Sequence, residues 1–206
     1  MKKMSLRRNC LPLLLTLVAS ISVVEGVDKD KNKFSPGPAS SFASKQTDNG
    51  VTIAAVAYDT ESLASTAFDK MNPYQHGVLP VLVVIQNDSK QSIKLERMRA
   101  QYIAADREKI DATSPREVPL LRAPKRPNFN GTPLPGLGKR NKNPLGGPEI
   151  EGRAFAAKML PPGESAFGFF YYQTGHRGGA KLYLTGLEEA ATGKELFYFE
   201  IPLDSH

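Results

Sequence analysis

The chain has 206 residues, 27 Lys and Arg against 21 Asp and Glu, and a formal net charge of +6. Four of the bases and one acid lie in the first 26 residues, so the remainder carries 23 bases against 20 acids, and its basic character is local. The one cysteine, Cys10, also lies in that opening segment, so residues 27–206 can form no disulfide and do no thiol chemistry, and the core alone must hold the fold.

The opening 26 residues have the three-part layout of a secretory signal peptide: a basic head with Lys2, Lys3, Arg7 and Arg8, an apolar run from Leu11 to Val24, and a small-residue exit at Val24-Glu25-Gly26. The apolar run falls short of the roughly 20 residues that a membrane-spanning helix needs. Cleavage is expected after Gly26, with Ser20 as the alternative bond. Cys10 precedes the apolar run and follows Arg8-Asn9, which argues against lipid attachment there. The chain is therefore read as exported, periplasmic or extracellular, with no transmembrane span after residue 26.

Residues 27–50 are polar and rich in Ser, Pro, Ala and Gly, and are expected to form a flexible leader. Asp28, Asp30 and Asn32 have the spacing of a calcium loop, but Lys33 stands where its turn wants glycine and Ala39 where a glutamate belongs. One domain is expected over 51–206. Its first strand is Val51 to Tyr58, followed by a short helix capped by Asp59 or Thr60, with Leu63, Ala64, Ala67 and Phe68 on one face and Asn72-Pro73 closing it. Val78 to Asn87 is apolar on both faces and reads as a buried central strand. Ser92 to Ala104 reads as one strand with a β-bulge near Glu96 or Arg97, because Ile93 and Leu95 are out of phase with Met98, Ala100 and Tyr102. Residues 107–121 carry no clear pattern.

Residues 122–148 hold six prolines, five glycines and six bases with no acid, and are expected to be a long disordered insertion. Four further strands are expected at Glu151–Leu160, Ser165–Gln173, Ala180–Leu187 and Glu195–Leu203, the C-terminal part forming an antiparallel meander. In the last, Phe197, Phe199, Ile201 and Leu203 share one face, and Tyr198 lies on the other, expected to be partly covered.

Seven strands, one short helix and no strand–helix alternation predict a mainly β fold, an antiparallel two-sheet sandwich. The run Val84-Ile85-Gln86-Asn87-Asp88, followed by a hydrophobic strand, and Leu160-Pro161-Pro162-Gly163-Glu164-Ser165 leading into Gly168-Phe169-Phe170-Tyr171 resemble immunoglobulin-like domains of exported bacterial proteins. The resemblance implies an immunoglobulin-like β-sandwich and no particular activity.

The chemistry-bearing motifs are sparse. His76, His176 and His206 lack zinc-site spacing. Gly136-Leu137-Gly138-Lys139-Arg140 lacks the Ser or Thr and the flanks of a phosphate loop, and no Gly-x-Ser-x-Gly elbow occurs. No cofactor and no catalytic residue are expected. Tyr74, Gln75 and His76, in the loop before the central strand, are the candidate ligand-binding residues. A second loop, Thr174 to Gly179 with His176 and Arg177, reads as an ordinary hairpin. Arg122, Lys125, Arg126, Lys139, Arg140 and Lys142 are the candidate contacts to an anionic surface. The leading expectation is an exported non-enzymatic interaction or structural module, its partner an envelope protein or anionic envelope polymer and not nucleic acid. The alternatives are a small exported hydrolase of an envelope polymer or ester, and an anionic-surface binder working through the basic insertion.

Overall fold

The structure, a computed structural model, describes residues 34–122 and 143–204. The signal-like segment and most of the basic insertion lie outside them. In chain order the elements are β1 (Lys45–Asp48), β2 (Val51–Ala57), α1 (Glu61–Phe68), β3 (Leu79–Asn87), β4 (Ile93–Lys94), β5 (Arg99–Ile103), β6 (Lys109–Asp111), α2 (Pro148–Gly152), β7 (Met159–Leu160), β8 (Ser165–Tyr172), β9 (Lys181–Thr185), β10 (Glu188–Glu189) and β11 (Phe199–Pro202). The described strands form three antiparallel sheets, ordered β1-β2-β3-β8, β10-β4-β7 and β11-β9-β5-β6.

β3 is the centre of the first sheet, pairing with β2 from Ala57↔Val81 to Val51↔Asn87 and with β8 from Leu79↔Tyr172 to Gln86↔Ser165. Its apolar residues alternate between two cores, because this sheet is covered on both sides. Val81, Val83 and Ile85 join Val51, Ile53 and Ala55 against Tyr102, Leu182, Leu184, Phe199 and Ile201 of the β11-β9-β5-β6 sheet. Leu82 and Val84 join Ala54, Phe169 and Tyr171 against a second layer that includes Ala67 and Phe68 of α1 with Val118, Leu145 and Ile150. The expectation of a central strand buried on both faces holds.

α1 begins where expected: the Thr60 hydroxyl accepts a hydrogen bond from the Leu63 amide at 3.3 Å, and Glu61 sits in the first turn, where the helix dipole favours an acid. The chain from Phe34 to Gly50 departs from the flexible leader expected there. Ala39 is fully buried, Phe34 packs against the second core, and β1 pairs with β2. Asn49 and Gly50, both at positive φ, make the two-residue turn that joins them.

Three strand expectations are corrected. Ser92 to Ala104 is two strands in different sheets, β4 with β7 and β10, β5 with β6 and β9, and the change of phase at Glu96-Arg97 is the crossing between sheets, not a bulge. Residues 151–160 open in α2, with Pro148 at its start and Glu149 and Glu151 in its first turn; only β7 is extended. The C-terminal segments are no continuous meander, because β8 belongs to the first sheet and β9 to the opposite one. Pairing in the last segment starts at Phe199, so Phe197 is 73% exposed while Leu196 is buried, the reverse of the expected alternation.

Among the described residues the count is thus eleven strands in three antiparallel sheets with two short α-helices, against the seven strands and one helix expected; the fold is mainly β as expected. The end of the insertion is also ordered: Leu145 is fully buried, its amide donates to Asn143 Oδ1 at 3.0 Å, and Asn143 Nδ2 donates to the Pro119 carbonyl.

Candidate binding face

Two places gather polar side chains, and they differ in what those side chains are free to do. The first is the loop between β8 and β9. The His176 amide donates to Tyr74 Oη at 3.2 Å, the Arg177 amide to Tyr102 Oη at 2.9 Å, and the Gly179 amide to Asp204 Oδ2 at 2.6 Å. His176 Nε2 lies 3.3 Å from Asp204 Oδ1, with the imidazole only 10% exposed. The Arg177 guanidinium reaches Glu108 at 2.6 Å and Asp106 at 3.5 Å, and the Glu108 hydrogen bond and charge raise its pKa. Burial raises the Tyr102 pKa, opposed by the amide it accepts. Burial likewise drives the nearby Tyr172 phenol far above its ordinary range, and its ring packs 5.9 Å from that of Tyr102. These side chains hold main-chain amides that no strand partner satisfies, which fixes the loop.

Of the expected ligand-binding residues, Tyr74 is therefore brought to the His176 loop, while Gln75 and His76 are not. The latter two line a separate groove of about 360 Å³ with Asp69, Asn72 and Glu149. The turn that carries them is shaped by Asn72 Oδ1, which accepts the Tyr74 amide at 3.1 Å, and by Gly77 at φ +78°. Arg122 ends the short helical turn at Val118–Arg122. Lys125, Arg126, Lys139, Arg140 and Lys142 lie outside the described residues.

The second place is the outer face of the β11-β9-β5-β6 sheet. The inner face of this sheet is used by the core, and register puts the alternate residues outward: Ile103 opposite both Lys109 and Lys181, and Tyr183 opposite both Gln101 and Glu200. Tyr198, just before β11, is 52% exposed, and its ring lies 5.4 Å from that of Tyr183 with 32° between their planes. It is not covered as expected. An open groove of about 510 Å³ runs here, lined among others by Ile103, Arg107, Lys109, Lys181, Tyr183 and Tyr198. Lys181 shares its charge with Glu200 at 3.4 Å, and Asp111 accepts from Gln101 at 2.7 Å. Among the described residues no carboxylate lies within ion-pair distance of Arg99, Arg107 or Lys109.

Sequence reasoning missed this face because it assigned 107–121 no structure and gave Tyr198 a cover. The signal was the outward series Lys181, Tyr183 in β9, which alternates with the buried Leu182 and Leu184. Among the described residues no group of three or more His, Cys, Asp or Glu side chains could hold a metal ion, and no helix is long and apolar enough to cross a membrane.

No protein-family model matches the chain, and no curated protein is similar to it in sequence. Among solved structures it is similar to ycdA of Bacillus subtilis subsp. subtilis strain 168, named as a candidate lipoprotein, at 12% identity and a TM-score of 0.38, over 77% of this chain. The chain spans only 38% of the length of that protein. It is also similar to the secreted protein MPT63 of Mycobacterium tuberculosis, at 13% identity and a TM-score of 0.30, over 80% of this chain and 95% of that one.

Proposed function

We propose that this chain is an exported, non-enzymatic binding module whose contact surface is the outer face of the β11-β9-β5-β6 sheet. The signal-like N-terminus supports export. The observation that carries the binding reading is the exposed Tyr198, in contact with the half-buried Tyr183 and beside Arg107 and Lys109, on a sheet whose other face is used by the core. A tyrosine ring has few torsions to fix on binding, and the sheet beneath holds its backbone in place, so this contact area is ordered at low cost.

The His176 cluster supports the non-enzymatic half. His176 does meet a carboxylate and lies beside two tyrosine hydroxyls, but both hydroxyls accept main-chain amides, and His176 lines neither the Gln75–His76 groove nor the outer-face groove. These groups serve the loop.

The test is retention of purified protein on envelope material from the source organism, wild type against Tyr198→Ser with Lys109→Gln. The double variant should lose retention with unchanged thermal unfolding. Equal retention would remove the outer face from consideration, and a substrate turnover abolished by His176→Ala would overturn the non-enzymatic reading.

A further inference from the structure

We infer that the outer face takes an anionic polysaccharide, with a sugar ring laid on Tyr198 and acidic substituents held by Arg107, Lys109 and Lys181. This rests on the binding-module reading and names the class of ligand.

The ring pair and the cations are separate arguments that converge. A tyrosine ring carries negative charge on its face, so it attracts groups whose outward edge is positive and apolar. The C–H edges of a pyranose ring meet that description, whereas a peptide carboxylate or an isolated phosphate does not. Tyr198 is 52% exposed and its ring leans on that of the half-buried Tyr183. The register sets Lys109, Ile103 and Lys181 in one row across β6, β5 and β9, so the backbone positions of the two lysines stand two strand spacings apart, roughly 10 Å. Such spacing suits charge repeated along a chain better than a single anion. Arg107 extends the row from the β5–β6 turn, where its backbone is left-handed at φ +70°.

Two further features narrow the class. Glu200 and Asp111 stand on the same face, so it is not uniformly basic, and a bare polyanion meets repulsion as well as attraction. The groove is partly open to solvent, so a chain can cross it.

The experiment is affinity electrophoresis of the purified protein in gels containing polygalacturonate, dextran sulfate, dextran or poly-L-glutamate. Wild type, Tyr198→Ser and Lys109→Gln are compared, with thermal unfolding as a control for folding. Both charged polysaccharides should retard the wild type, dextran should not, and poly-L-glutamate should do so weakly. Tyr198→Ser should weaken polysaccharide binding by about tenfold and leave the response to poly-L-glutamate unchanged, and Lys109→Gln should weaken both. Binding that ignores Tyr198, or no retardation by either charged polysaccharide, overturns the proposal. If envelope retention still depends on Tyr198 in that case, the binding-module reading stands without this ligand; if it does not, both fall.

Discussion

Tyr102 and Arg177 are 75 residues apart in sequence, yet the Arg177 amide donates to Tyr102 Oη at 2.9 Å, tying the β8–β9 loop to the core of the β5-containing sheet. The tyrosine is fully buried, so replacing it with phenylalanine keeps the ring packing and removes one acceptor. Tyr102→Phe should cost about 1–2 kcal/mol in chemical denaturation. Amide exchange should speed up at Arg177 and His176 first, while β2 and β3 keep their protection. Unchanged exchange in the loop would mean that the hydrogen bond does not hold it.

Four tyrosines give the fold an alkaline limit. Burial raises the pKa of Tyr58, Tyr102, Tyr171 and Tyr172 above the ordinary value of 10.0. A tyrosine whose folded pKa exceeds its unfolded one binds its proton more tightly when folded. Stability is therefore intact below pH 10 and falls as pH rises beyond it. Absorbance at 295 nm should show the ionisation of these four displaced above pH 10, with Tyr171 and Tyr172 ionising only together with loss of tertiary structure. Reversible ionisation of all seven tyrosines near pH 10, with the fold intact, would contradict their burial.

Asn87 closes the turn after β3. Its Nδ2 donates to the Leu160 and Gln91 carbonyls at 2.9 and 2.8 Å, and its Oδ1 accepts from the Ser89 amide and hydroxyl at 3.1 and 2.6 Å. The residue is fully buried, so the Asn87-Asp88-Ser89 sequon is closed to glycosylation in the folded chain. Asn87→Ala should cost about 3 kcal/mol, because several buried partners lose their bonds at once. Asn87→Asp should be nearly as damaging, because both donors are lost. A loss under about 1 kcal/mol for either would show that water replaces these bonds.

Gly168 tests the close approach of β8 to the chain after α2. A Cβ at this position would run into Phe155 Cα and lie 2.6 Å from its nitrogen, where the Phe155 amide donates to the Phe169 carbonyl at 3.1 Å and the Phe169 amide to the Arg153 carbonyl at 2.8 Å. Gly168→Ala should destabilise by about 1–3 kcal/mol, read as a fall in the denaturant midpoint with unchanged slope. Gly163→Ala offers a contrast, since nothing crowds that position and only its φ of +77° resists the change.

Much of the fold was legible wherever an element was long enough to show a period. β3 could be read because nine residues are buried almost throughout, and α1 because Thr60 and the Ala64, Ala67, Phe68 face are local signals. β4, β7 and β10 have two residues each and exist only because another segment arrives beside them, which no period can announce. β1 is polar, Lys-Gln-Thr-Asp, and its one local mark was the Asn49-Gly50 turn after it. At the site, Tyr74 was legible as a loop residue, but its partner His176 stands 102 residues away. The tilted contact of Tyr198 with Tyr183 depends on where β11 starts, and the alternation in that segment pointed to the wrong start.

The most direct test of the outer face is site-specific photo-crosslinking in intact cells of the source organism, with a photoreactive residue at position 198 and, as a control, at the exposed Glu61 on α1. Adducts at 198 and none at 61 are the predicted result. Adducts at 61 and none at 198 would place the working surface on the α1 side and contradict the account.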